Sequence, residues 1–170
     1  VVIDEMLVPP EMWGVRCISI GYFVPEGQAV IWRGPMLHKA LEQFLTDVFW
    51  DDPDFLLIDM PPGTGDIALS LAQYLPRGEV FVVTTPQPAA QQVAVRAGQM
   101  ARTTNMRLLG AVENMSFLVG SGEEIFGSGG GETLAAELGV PLLGKIPLDP
   151  RLRESADRGE PLVWAEPEAE

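Results

Sequence analysis

The spacing of hydrophobic residues along this chain predicts alternating helices and strands. Between residues 36 and 50, apolar side chains recur every three or four positions, which is the pattern of a helix with one buried stripe. Short, continuous apolar runs separate such stretches, and they are typical of strands covered on both faces. The predicted strands are residues 15–23, 55–59, 79–85, 107–113 and 141–146. The further predicted helices are residues 67–75, 87–104, 131–138 and 149–158.

This alternation predicts the fold class. A strand, a crossover helix and a second parallel strand form the repeating unit of α/β domains. We therefore expect a doubly wound, mainly parallel sheet, and the length of 170 residues corresponds to about one domain. In such sheets, ligands bind beyond the carboxyl ends of the strands. The residues expected at that edge include Asp59, Asn114, Pro147 and Asp149.

Composition and charge narrow the classes of function. Apolar residues make up 46% of the chain and charged residues 21%, which is typical of a folded domain and not of a disordered tail. No apolar run in the sequence is long enough to span a membrane. The net charge of −13 argues against binding to nucleic acid or to an anionic membrane surface, because both are bound chiefly through clustered Lys and Arg. The single Cys17 excludes a disulfide framework within the chain, and we expect a cytoplasmic protein.

The strongest motif is the string LLIDMPPGTGD at residues 56–66. Asp59 ends a predicted buried strand, and a carboxylate at that position can hold the water shell of Mg²⁺. Gly63 and Gly65 would allow backbone N–H groups to approach a phosphate or an attacking water. The alternative is that Asp59 caps the following turn and that the Pro–Gly run only interrupts regular structure.

This string resembles the Walker-B and switch-II segment of the Mrp/ApbC family, the iron–sulfur cluster carrier ATPases related to MinD and ParA. Four further blocks resemble the same family and follow its order, namely residues 30–45, 82–87, 112–116 and 124–163. The resemblance therefore covers nearly the whole chain. It implies a P-loop NTPase fold of the MinD type, here without its P-loop strand. It also implies a Mg²⁺-dependent ATPase that binds ATP and carries or assembles iron–sulfur clusters.

The resemblance assigns roles in hydrolysis to the string around Asp59. The carboxylate of Asp59 would order the Mg²⁺ shell and is the only expected metal ligand. Pro62 and Gly63 would belong to the turn that senses the γ-phosphate and is repositioned on hydrolysis, as switch segments are.

Two later segments would recognise the nucleoside. Asn114, in the string VENMS, would read the edge of adenine, and the alternative is an Asn that closes a turn. By resemblance, Pro147 would pack on the base. Asp149 would either contact the ribose or cap the following helix, since Asp followed by Pro fits a helix start.

Two departures from the family pattern bear on the function. A P-loop needs a Gly-rich turn followed by Lys and then Ser or Thr, and neither Lys39 nor Lys145 is followed by such a residue. Residues 1–163 are therefore interpreted as the C-terminal two-thirds of a single MinD-like ATPase domain whose phosphate loop lies upstream, with an acidic tail at residues 164–170. The family's Cys-x-x-Cys is missing from residues 117–124, so the usual ligands of an iron–sulfur cluster are absent there.

Four positions keep simpler interpretations beside functional ones. Residues 127–131 form a Gly-rich run that either binds an anion or only leads into a helix, and the helix start is favoured. His38 lies beside the apolar stripe and is interpreted as a solvated residue rather than a ligand. Cys17 lies in a predicted strand, where a lone thiol is usually a small buried apolar group. The resemblance implies that Arg33 lies near a subunit interface as a positioning residue, and the alternative is a surface Arg beside a structural Trp.

The leading hypothesis is a cytoplasmic, homodimeric Mg²⁺-ATPase that delivers iron–sulfur clusters to apoprotein recipients. One alternative is a non-catalytic scaffold or partner-binding module of the same fold, which the missing P-loop motif favours. The other is a ParA/MinD-like positioning ATPase that uses DNA or a membrane as its track, and the charge of −13 disfavours it. The three hypotheses differ in whether the protein hydrolyses ATP, carries iron or binds DNA.

Overall fold

A computed structural model describes residues 2–3, 6–24, 34–61 and 65–167. The chain divides into two compact units, Val1–Leu75 and Pro76–Glu170. Within the described ranges, no helix combines the length and the apolar character needed to cross a bilayer.

The N-terminal unit begins with two short antiparallel hairpins. The pairs are β1 (Val2–Ile3) with β2 (Met6–Leu7), and β3 (Glu11–Met12) with β4 (Val15–Arg16). Trp13 and Gly14 connect β3 to β4 with φ angles of 57° and 72°, as a tight two-residue hairpin turn requires. The Arg16 guanidinium then bonds the backbone carbonyl of Trp50 and, over 2.9 Å, the carboxylate of Asp51. These bonds fix the hairpin against the segment that follows the first long helix.

Two helices supply the buried core of this unit. α1 (Gly34–Thr46) and α2 (Gly65–Tyr74) pack through the buried side chains of Leu41, Ile67 and Leu71. Leu41 lies on the apolar stripe that the sequence predicts for α1, so the amphipathic helix and the face it buries are confirmed.

The first long helix ends at Thr46, four residues before the predicted end. Beyond it, the backbone bonds to β2 instead of continuing the helix. Leu7 N donates to Asp47 O over 2.7 Å, and Leu7 O accepts from Phe49 N over 2.9 Å. A tertiary backbone contact therefore competes successfully with the local helical pattern.

The strand predicted over residues 15–23 is wrong for most of its length. Only Val15–Arg16 pairs as a strand, and Ile20–Phe23 forms a 3₁₀ helix whose start is capped by Ser19 Oγ, which accepts from Gly21 N over 3.2 Å. Cys17 is exposed and not buried as expected, and the Tyr22 hydroxyl lies 3.7 Å from its Sγ. A Ser cap followed by Gly is a local signal that outweighs the apolar run.

The buried strand predicted over residues 55–59 is also wrong. This segment has no strand pairing to any described part of the chain, and Phe55 and Leu57 are 86% and 89% exposed. An apolar run forms a strand only where a neighbour accepts and donates its backbone hydrogen bonds, and no described residue does so.

The C-terminal unit is a three-stranded parallel sheet with crossover helices. Its strands are β5 (Glu79–Thr84), β6 (Arg107–Leu118) and β7 (Leu142–Leu148), in the order β5-β6-β7. Its helices are α3 (Pro88–Thr103), α4 (Gly130–Leu138), α5 (Pro150–Asp157) and α6 (Leu162–Ala165). The predicted α/β class with a parallel sheet is therefore confirmed.

Among the described residues of the C-terminal unit, helices pack on one face of this sheet. α3 and α4 cover the packed face, and the core there consists of Val82, Ala94, Val95, Ala111, Leu134, Ala135 and Leu138. Along β5, buried and exposed side chains alternate. Val82 belongs to this core, whereas its neighbours Phe81 and Val83 are 52% and 57% exposed. Parallel sheets are normally covered on both faces, so the described residues leave apolar surface open on one side.

We expect the 170-residue chain to self-associate, because β5 is an edge strand of the described sheet and carries the exposed apolar side chains of Phe81 and Val83. Sedimentation velocity should show a weight-average mass that rises with concentration. Val83→Lys should reduce this association, since a charge on an edge strand opposes pairing with a second chain. The matched control is Val163→Lys, which adds the same charge at a 79% exposed Val on α6. A single monomeric species at all concentrations would contradict the expectation.

Candidate functional site

Asn114, which the sequence predicts just beyond the strand at residues 107–113, lies inside that strand instead. β6 continues to Leu118, and Asn114 pairs in register with Ile146 of β7. The pairing becomes irregular between Asn114 and Leu118, so β6 bends at this point. The predicted strand ends five residues before the observed one, so Asn114 lies within β6 and not beyond it.

The irregularity is centred on Met115. Its φ of 56° is a left-handed conformation that residues other than Gly rarely adopt. The Asn114 side chain accepts from Met115 N over 2.9 Å, and Ser116 Oγ donates to the Glu113 carbonyl over 3.0 Å. Unusual backbone conformations of this kind cost energy and persist only where the surrounding structure holds them in place. They cluster at active sites and ligand-binding sites. The string VENMS therefore forms a fixed bend with a half-buried amide side chain.

Pro147 lies on the neighbouring strand, close in register to this bend. β7 extends to Leu148, two residues beyond the predicted end, so the half-buried Pro147 is a strand residue and not a loop residue. Its neighbour Ile146 is the partner of Asn114. The structure thus brings together two of the predicted nucleoside-binding residues, Asn114 and Pro147.

Asp149 acts as the N-cap of α5. Its Oδ1 accepts from Arg151 N over 2.9 Å, and its Oδ2 accepts from the Arg151 guanidinium over 2.7 Å. Arg151 also pairs with Glu166 over 2.7 Å. The carboxyl is only 7% exposed, and the hydrogen bonds from Arg151 lower its pKa below the ordinary value of an Asp. Of the two predicted roles, helix capping is the one that this geometry displays.

The cap makes the stability of the C-terminal unit depend on pH. Because the pKa of Asp149 is lower in the folded chain, its contribution is complete above the ordinary Asp pKa of about 4 and is lost as the pH falls through the lowered value. We expect Asp149→Ala to lower the free energy of unfolding at neutral pH, and the difference from wild type to shrink in acid. Urea unfolding at a series of pH values measures this, with exposed Asp157→Ala in the same helix as the control. A difference that is unchanged in acid would rule out the charged cap.

The predicted metal ligand, Asp59, lies in the N-terminal unit, in the segment without regular secondary structure that follows Asp54. It lines a cavity of about 1000 Å³ together with apolar side chains such as Leu41 and Phe44. Its side chain is exposed and makes no hydrogen bond or ion pair with another described residue. The predicted switch residues Pro62 and Gly63 lie outside the described residues.

The fit of Mg²⁺ to this segment follows from the donor set. Mg²⁺ bound with a nucleotide needs one or two carboxylates, and water and phosphate oxygens complete its coordination. The carboxylate of Asp59, which is exposed and has no partner among the described residues, suits that role. No group of three or more His, Cys, Asp or Glu side chains that could hold a metal ion is found among the described residues. The Asp59 carboxylate therefore fits the protein's share of a metal site that a phosphate would complete.

The Gly-rich run at residues 127–131 leads into α4 by close packing. Gly129, with a φ of 79°, is the N-cap, and Gly130 and Gly131 are buried. A Cβ on Gly130 would lie 2.5 Å from the carbonyl oxygen of Pro86, and one on Gly131 would lie 2.6 Å from Glu113 Cβ. The glycines therefore allow the helix to approach the sheet closely, which supports the interpretation as a helix start.

His38 is not the solvated residue that its position beside the stripe predicts. It is half-buried between the two helices of the N-terminal unit, with Nδ1 2.6 Å from Ser70 Oγ and Nε2 3.4 Å from the Tyr74 hydroxyl. The contact depends on the packing of α1 against α2, which sequence spacing alone does not reveal. Arg33 lies outside the described residues.

Comparison with known sequences gives a consistent result. A family profile described as ParA: NUBPL iron-transfer P-loop NTPase matches residues 1–170. The chain is similar to the iron-sulfur cluster carrier protein of Mycobacterium leprae, at 53% identity over 95% of this chain and 44% of that protein. It is also similar to the iron-sulfur cluster carrier protein of Deinococcus radiodurans, at 47% identity over 98% of this chain and 48% of that protein. The chain therefore spans about half the length of these relatives.

Solved structures show the same relationship. The nucleotide-binding protein of Archaeoglobus fulgidus, determined in complex with ADP, matches with a TM-score of 0.72 and 32% identity, over 94% of this chain and 63% of that chain. The cell division ATPase MinD of Pyrococcus furiosus matches with a TM-score of 0.57 and 28% identity, over 84% of this chain and 57% of that chain. These matches confirm both the MinD-like fold class and the family resemblance drawn from the motifs.

Proposed function

We propose that the protein binds and hydrolyses ATP in order to carry iron–sulfur clusters to recipient proteins. The chain belongs to the ParA-type family of NUBPL iron-transfer P-loop NTPases, and the proposal starts from that membership. The observation that carries this proposal is the 53% identity, across 95% of the chain, to a protein named as an iron-sulfur cluster carrier. The left-handed backbone beside Asn114 supports a role for this part of the sheet in nucleotide binding. Separately, the exposed carboxylate of Asp59 supports a role in holding Mg²⁺.

Different residues of this chain would contact the adenine base and the magnesium-bound phosphates. The Asn114 amide would donate to and accept from the edge of adenine, which requires its Oδ1 to share or release the hydrogen bond with Met115 N. Pro147, on the adjacent strand, would pack against the ring. Asp149 would act indirectly, by capping α5 and so fixing the backbone that leads away from Pro147.

The phosphate end would depend on the segment around Asp59. Its carboxylate would hold the water shell of Mg²⁺, and the ion would neutralise charge on the phosphate oxygens. Pro62 and Gly63 would form the turn that responds to the γ-phosphate. No Lys in the 170 residues is followed by Ser or Thr, so the phosphate loop would come from another part of the protein. Residues 1–163 would then be the C-terminal part of one ATPase domain, with residues 164–170 as an acidic tail.

The cargo would be an iron–sulfur cluster, and apoproteins would be its recipients. This chain has one Cys, Cys17, so it can supply only one thiolate ligand to a cluster. The remaining ligands would come from elsewhere, and the second subunit of a cytoplasmic homodimer would supply part of them. With a net charge of −13, neither DNA nor an anionic membrane is an expected partner.

Iron content and ATP turnover of the same preparation test the proposal. The protein expressed from its complete gene should contain iron and sulfide after anaerobic purification, show visible absorbance, and release phosphate from ATP when Mg²⁺ is present. It should also restore activity to an apo iron–sulfur enzyme. A preparation that releases no phosphate and takes up no iron would instead support the scaffold alternative.

A positioning ATPase is the second candidate, and the match to MinD favours it. It would need a track, and its affinity for duplex DNA or for anionic vesicles would fall with salt. Binding to either, without iron, would favour this function over cluster transfer.

A further inference from the structure

Glu113 is a charged side chain buried inside the C-terminal unit, and neither the sequence pattern nor the family resemblance gives it a role. It is 1% exposed, although an ionised carboxylate is costly to bury unless it is paired. It stands at the centre of the sheet, in register with Thr84 of β5 on one side and with Lys145 of β7 on the other. It directly precedes Asn114.

Two elements supply the partners of this carboxylate. Its Oε2 accepts from Gly131 N, in the first turn of α4, over 2.5 Å. Its Oε1 lies 3.6 Å from Lys145 Nζ, which also pairs with Glu132 Oε1 over 2.7 Å. The Glu113 carboxyl group therefore occupies the N-terminal end of α4, where the backbone N–H of Gly131 donates to it and the helix dipole favours an anion.

The same contacts raise the pKa of Lys145 and lower the pKa of Glu132. In both cases the largest cause is the hydrogen bond between these two side chains, with the charge of Glu113 adding to the effect on Lys145. Both charges are therefore retained at neutral pH. One set of charge-assisted hydrogen bonds thus joins the first turn of α4 to the middle of β6 and the middle of β7.

This junction lies beside both residues proposed to contact adenine. Asn114 follows Glu113 by one residue in β6, and Pro147 follows Lys145 by two residues in β7. We propose that Glu113 is a positioning residue of the nucleotide site, which sets the spacing between the Asn114 amide and Pro147 by tying β6, β7 and α4 together. This inference rests on the proposed function of the same site.

The test compares three variants of the protein expressed from its complete gene, titrated calorimetrically with Mg-ADP and Mg-GDP. Glu113→Ala removes both contacts and should weaken ADP binding about tenfold, with a loss of the preference for ADP over GDP. Glu113→Gln keeps an acceptor for Gly131 N and should restore most of the affinity. Glu113→Gln also provides a test of the inference if Glu113→Ala does not fold. Leu138→Ala is the matched control, because it opens the core at the opposite end of α4, where Leu138 is 1% exposed.

Leu138→Ala should lower the melting temperature and leave ADP affinity and base preference within about twofold of wild type. The inference is overturned if Glu113→Ala and Glu113→Gln bind ADP as wild type does, or if Leu138→Ala weakens binding as much as Glu113→Ala. Failure of the wild-type protein to bind ADP is a distinct result, which contradicts the proposed function and this inference with it.

Discussion

Asp59→Asn is expected to lower ATP turnover by the protein expressed from its complete gene by at least about 100-fold. The amide keeps the shape of the side chain but removes the charge that would hold the Mg²⁺ shell beside the phosphates. The effect should fall on kcat rather than on folding, because the Asp59 carboxylate is exposed and has no partner among the described residues. Steady-state phosphate release at saturating Mg-ATP measures the change.

The matched control for this variant is Asp54→Asn. Asp54 precedes Asp59 by five residues, is also exposed and lines the same cavity, but it is absent from the set of residues proposed to act on the nucleotide. Its turnover should stay within about twofold of wild type. Equal turnover in Asp59→Asn and wild type would show that the carboxylate has no part in hydrolysis.

Leu134→Ala is expected to lower the free energy of unfolding of the C-terminal unit by about 3 kcal/mol. Leu134 is fully buried in the core that α4 forms against the sheet. The substitution would leave a cavity there, and neighbouring side chains could close it only if α4 shifted away from strands that it packs against closely. Urea unfolding followed by the circular dichroism of the helices measures the loss. Because a typical domain is stable by only about 5–15 kcal/mol, this is a large fraction of the total.

Val93→Ala is the control, since Val93 is 45% exposed on α3 and its truncation should cost less than about 0.5 kcal/mol. If Leu134→Ala cost no more than Val93→Ala, α4 would not be anchored in this core as described.

The sequence predicts the local elements of the C-terminal unit well, and the reason is physical. β5 and α3 are each specified by residues close in the chain: a continuous apolar run in one case, a long Ala- and Gln-rich stretch after Pro88 in the other. The N-cap at Asp149 is predictable for the same reason, because Asp followed by Pro150 is a local signal.

Features that depend on distant partners escape such reasoning. The segment at residues 55–59 has the composition of a strand, but pairing is decided by a neighbour that sequence spacing cannot identify. The contact of Glu113 with Gly131 joins residues that are 18 apart, and His38 meets Ser70 across 32 residues. Met115 gives no signal of its left-handed backbone, because only the bend in β6 requires it.

One calorimetric experiment tests the central claim, that the protein binds a magnesium-bound adenine nucleotide, with Asp59 acting on the Mg²⁺ and Asn114 on the adenine. The protein expressed from its complete gene is titrated with ADP and GDP, with and without Mg²⁺, as wild type, Asp59→Asn and Asn114→Ala. The account predicts that wild type prefers ADP and binds it more tightly with Mg²⁺, that Asp59→Asn loses the Mg²⁺ effect, and that Asn114→Ala loses the preference for adenine. Wild-type protein without affinity for ADP, or variants that match wild type in both respects, would contradict it.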